Sequence, residues 1–71
     1  MTIERPRWHW LLVDGDGRGV DRPGSPVFLA RFEAEQWLGE HWRGAAVLGA
    51  RRARLLHDGE PATAPVLIPE L

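Results

Sequence analysis

The chain has 71 residues, no cysteine and a formal net charge of −1, with nine basic and ten acidic residues interspersed along it. That length lies near the lower limit for one domain folding without a staple, and the absent thiols exclude both a disulfide framework and a thiolate metal site. The near-neutral balance argues against a general polyanion binder but leaves room for a local basic patch, and no apolar run reaches the roughly 18–20 residues that a membrane span needs.

Residues 1–7 are polar and contain Pro6, which predicts a frayed end to a single domain covering 1–71. This start lacks the charged, apolar, then small-residue order of a signal peptide, so a cytoplasmic protein is expected. Trp8-His9-Trp10-Leu11-Leu12-Val13 is a short continuous apolar run of strand length. Asp14 to Gly19 carries three glycines and reads as a loop, and Arg22-Pro23-Gly24-Ser25-Pro26 is a second break. Val27-Phe28-Leu29 then predicts a short strand paired with the first.

From Arg31 to Leu48 the period changes to that of a helix, with Ala30, Ala34, Trp37, Leu38, His41, Ala45 and Leu48 on one stripe. Glu33 and Glu35 suit its positive end and Arg43 its negative end, Ala30 occupies the cap position without a capping hydroxyl, and Gly49 suits the left-handed residue after the last turn. Ala53 to His57 reads as a strand, Asp58-Gly59 as a two-residue hairpin turn, and Val66-Leu67-Ile68 as a last strand. The expectation is an α+β domain in the order ββαββ, a small antiparallel sheet with its one helix across one face and the tryptophan stripe buried between them.

Every basic residue is arginine, and lysine, asparagine and tyrosine are absent. GC-rich codons produce that bias, so the preference for arginine says little about phosphate recognition. The segment Phe28-Leu29-Ala30-Arg31-Phe32-Glu33-Ala34-Glu35-Gln36-Trp37-Leu38-Gly39-Glu40-His41-Trp42-Arg43 resembles the signature of a family of small actinobacterial proteins of about this length. In that family an extended aromatic precedes a Ser/Thr cap and then Ala-Glu-x-Trp-[Ile/Leu]-Gly-Glu-x-Trp-Arg. The resemblance covers roughly residues 8 to 60 and departs from the pattern at Ala30 and in the tail. It implies a fold and a lineage, and it carries no activity and no catalytic residue.

Three arrangements invite chemistry and fail on spacing. Asp14, Asp16 and Gly19 match three positions of a calcium loop, but Arg18 and Ser25 stand where further ligands belong. Gly15, Gly17 and Gly19 precede no helix, so they form no phosphate cradle. His9, His41 and His57 share no motif, and His41 is expected to pack within the apolar stripe. No catalytic residue, metal or cofactor is therefore expected.

Two surfaces remain. Phe32 projects about 160° from the centre of the helix stripe, with Gly39, Arg43 and Ala46 near it and Trp42 at the stripe's edge. A large aromatic beside small residues points to a protein-interaction module, with self-association into a homodimer as one form of it. The alternative is a nucleic-acid binder using the basic cluster Arg51, Arg52 and Arg54.

Overall fold

The computed structural model describes residues 7–20 and 24–71. Its elements are β1 (Trp8–Asp14), α1 (Arg31–Val47), β2 (Ala50–His57), β3 (Glu60–Pro61) and β4 (Val66–Leu67). The fold class is the expected one, a single helix on a small antiparallel sheet. β2 is central: β1 runs along one side of it, while β3 and β4 follow one another along the other.

The order of elements is βαβββ and differs from expectation in two places: Glu60–Pro61 adds the two-residue strand β3 beside β2, and the segment before the helix is lost as a strand. Val27-Phe28-Leu29 forms no strand and meets β1 through a single bridge between Phe28 and Trp8. Pro26 has no N–H to offer, and the chain must turn into the helix at Ala30, so only one residue is left to pair. The same loop still seals the outer edge of β1. Trp8 and Phe28 exchange backbone bonds of 2.9 and 2.7 Å, and the Val20 N–H donates to the Leu12 carbonyl at 2.7 Å. Between them the Trp10 N–H donates to the Ser25 hydroxyl at 2.9 Å.

Residues 1–6 of the expected frayed end lie outside the described residues. Arg7 is held, since its N–H donates to the Asp58 carboxylate at 3.0 Å and its carbonyl accepts from the Asp58 N–H at 2.8 Å.

The helix begins at an Ala30 that makes no side-chain cap. It ends where expected, with Gly49 at φ +100° turning the chain back into β2. The next reversal is also the expected one, Asp58 and Gly59 at φ 52° and 86°.

Even-numbered residues of β1 face the helix. Trp10 and Leu12 stand opposite Leu55 and Ala53, and all four are buried. Helix residues Ala34, Leu38, Ala45 and Ala46 close over them. The Trp10 indole Nε1 donates to the Ala34 carbonyl at 2.6 Å and ties the two layers together. The core is thin: among the described residues five of the ten buried ones are alanines, and Leu55 is the one large side chain wholly removed from solvent.

The tryptophan stripe is less buried than expected, and its two ends, Ala30 and Leu48, are exposed. Trp37 is half-buried at the rim, and His41 is exposed and stacked on it with ring centroids 4.6 Å apart, its Nδ1 2.8 Å from the Trp37 carbonyl. The Trp10 ring of β1 fills the space between the layers beside the helix alanines, which leaves the helix's own rings at its flanks.

Candidate functional site

Strand alternation places directly paired residues on one face of a sheet. The pairs His9–Leu56, Leu11–Arg54 and Val13–Arg52 alternate with the buried pairs, so they form the face turned away from the helix. Leu67 extends that face beside Arg52, and Pro61 extends it beside Leu56. No element among the described residues covers it. Leu11 is 43% exposed and Leu67 74%.

This face separates the basic cluster. Arg52 and Arg54 are exposed on it, as alternation predicts, but Arg51 does not join them. The register slips between Val13 and Asp14, whose partners are Arg52 and Ala50, leaving Arg51 as the extra residue of a bulge. Its Nη1 donates to the Ala50 and Ala46 carbonyls at 2.8 and 3.2 Å, and its Nε to Glu70 at 3.3 Å. Arg51 thus supplies positive charge to the negative end of α1, which has no basic residue in its own last turn. A bulge leaves no mark in the residue pattern, so alternation alone does not foretell this.

The helix surface is also revised. Phe32 is 68% exposed, and Gly39 and Arg43 are exposed on the same side. Trp42 is half-buried against the core, with the Arg43 guanidinium 5.4 Å above its ring centre. Ala46 does not belong to the outward face: it is buried. The chain doubles back at Gly49, and the start of β2, with Arg51 bonded to the Ala46 carbonyl, closes that side of the helix. Glu33, Glu40 and Val47 take its place on the exposed side. Neither glutamate has an ion-pair partner among the described residues; Arg31–Glu35 at 2.8 Å is the ion pair within the helix.

A shallow groove of about 360 Å³ opens between the first turns of α1 and the segment joining β3 to β4. Trp10, Leu38, Leu55 and Val66 line its apolar part and the Arg31–Glu35 pair its rim. Thr63 also lines it, its hydroxyl donating to the Ala64 carbonyl at 3.1 Å.

The three histidines stay apart: His9 on the open sheet face, His41 on the helix, and His57 stacked on Trp8 at 4.1 Å. Among the described residues no three His, Asp or Glu side chains gather to hold a metal, and no helix is long and apolar enough to cross a membrane. The loop acids serve the turn instead: the Asp14 carboxylate accepts from the Asp16 and Arg18 N–H groups, both at 2.9 Å.

No protein-family model, curated protein or solved structure matches this chain.

Proposed function

We propose that the chain is a cytoplasmic, non-catalytic protein-interaction module, and that it works through the open face of its sheet. The observation that carries this reading is the residue pattern of β1. A strand with one wet face alternates apolar and polar residues, whereas a strand covered on both faces reads as a continuous apolar run. Trp8 to Val13 is such a run, broken by one histidine. One of its faces is covered by α1, and the other presents Leu11 and Val13 beside Leu56 and Leu67. The thin alanine-rich core fits the same reading, because binding to the folded form adds stability that the core lacks. The helix motif leaves kinship with the small actinobacterial family as part of the proposal, with no activity attached to it.

Arg52 and Arg54 on this face would also suit phosphates. The protein reading is favoured because single-stranded nucleic acids are gripped by stacking on aromatic rings. Trp8, Trp10, Trp37 and Trp42 all pack toward the helix side of the sheet.

The test is parallel affinity purification of the wild-type chain and Leu11→Glu from the native cells. A protein that co-purifies in stoichiometric amount with the wild type and is lost from Leu11→Glu supports the module. Identical material with both ends it. Nucleic acid retained at low salt and released by Arg52→Glu with Arg54→Glu would transfer the face to the alternative function.

A further inference from the structure

We propose that one partner of the open sheet face is the outward side of α1 from a second copy of this chain, in a head-to-tail contact that repeats from copy to copy. This rests on the open sheet face being an interaction surface, and it names the occupant.

The sheet face carries Arg52 and Arg54 with Leu11, Val13, Leu56 and Leu67, and none of its residues is acidic. The outward side of α1 carries Glu33 and Glu40 with Phe32 and Val47, the last two 68% and 74% exposed. Arg43 is the basic residue on that side, and it leans over the Trp42 ring. Each surface is thus apolar with charge of one predominant sign, and the signs are opposite.

Charge decides the geometry. Two sheet faces packed on each other would bring Arg52 and Arg54 against their own copies. Two helices packed on each other would do the same with Glu33 and Glu40. Like charges at a contact are penalised, so both symmetric dimers are disfavoured and the helix-on-sheet contact is selected.

Dimensions agree. A helix of 17 residues is about 25 Å long, and the eight-residue β2 about 26 Å. Gly39, midway along the helix, has no atom outside its helix within 4 Å of where a Cβ would sit, so a second backbone can approach there. The contact also completes a familiar arrangement, an apolar sheet covered by helices on both faces.

The two surfaces lie on opposite sides of the molecule, because α1 covers the sheet face opposite the open one. Two copies therefore cannot satisfy both surfaces at once. The contact is heterologous and continues into a ring or a filament.

Light scattering over a dilution series tests this with the wild type, a sheet variant (Arg52→Glu with Arg54→Glu) and a helix variant (Glu33→Arg with Glu40→Arg). The wild-type mass is expected to rise from the 8.0 kDa of one chain past twice that value as concentration increases. Each variant alone is expected to remain at one chain. Mixed in equal amounts they are expected to regain mass past two chains, because the intact helix of the sheet variant fits the intact sheet of the helix variant and the two reversed surfaces are again opposite in charge. The single variants Leu11→Glu and Phe32→Glu, used should a double variant fail to fold, leave their altered surfaces with no complementary charge between them, so each is expected to stay at one chain and their mixture to stop at two.

A wild type that stays at one chain throughout would overturn the proposal, as would a dimer that only one class of variant disrupts. A monomeric wild type whose sheet face still captures a different protein, lost with Leu11→Glu, would remove the second copy as occupant and leave the interaction module standing.

Discussion

Trp10 shows how much of this fold rests on single side chains. Its ring is buried between the layers, and its indole N–H meets the Ala34 carbonyl. Trp10→Phe removes that bond and part of the apolar area, with an expected loss of about 2 kcal/mol, read from the urea midpoint. Glycines separate by backbone rather than by space. Gly49 sits at φ +100° and Gly39 within the helix, and neither has a neighbour that a Cβ would strike. Gly49→Ala is therefore expected to cost about 1–2 kcal/mol through the left-handed conformation alone. Gly39→Ala is expected to stabilise the isolated chain by roughly 0.5–1 kcal/mol through helix propensity. Thermal melts at low concentration check both signs. Residues 49 and 58–59 were legible in the sequence because positive φ is a local demand. The role of Arg51 was not, because it depends on where a bulge falls.

Among the elements, β1 is held on both edges by different means. β2 pairs with it regularly, whereas the loop before the helix offers Phe28, Ser25 and Val20 one at a time. Side-chain substitution for a ladder bond is visible at Ser25, whose hydroxyl takes the Trp10 N–H. Ser25→Ala is expected to cost about 1 kcal/mol and to speed hydrogen exchange at the Trp10 amide, leaving amides between β1 and β2 little changed. Exchange followed by NMR distinguishes this from general loosening. The sealed edge also bears on function: β1 has no free edge for strand addition, and Pro61, Pro65 and Pro69 interrupt the far side of the sheet. Interaction through a face rather than an edge follows. The helix was legible from its 3.6 period, but its buried stripe is narrower and more alanine-rich than the period alone implied.

For the whole molecule, the thin core sets the margin. With five alanines among the ten buried residues of the described chain, little apolar area there supports the fold beyond Trp10, Leu12, Leu38, Leu55 and Ile68. Leu55→Ala is expected to cost about 3–4 kcal/mol, a large share of the roughly 5 kcal/mol at the low end for small domains. A circular-dichroism melt is expected to show the variant substantially unfolded at 37 °C. Addition of a binding partner is expected to raise its transition temperature, since ligands of the native state stabilise by mass action.

By itself the sequence determined the helix, its glycine stop, the Asp58-Gly59 reversal, the β1 and β2 strands and the opposite facing of Arg52 and Arg54 from Ala53 and Leu55. Each is a local matter of period, alternation or backbone conformation. Only the tertiary structure decided that Val27 to Leu29 makes one bridge rather than a strand, that Ala46 is inside, and that Arg51 belongs to the helix end. It alone left the second face of β1 open. Those outcomes depend on how closely two layers approach and where the register slips, and contacts between residues far apart in the chain set both.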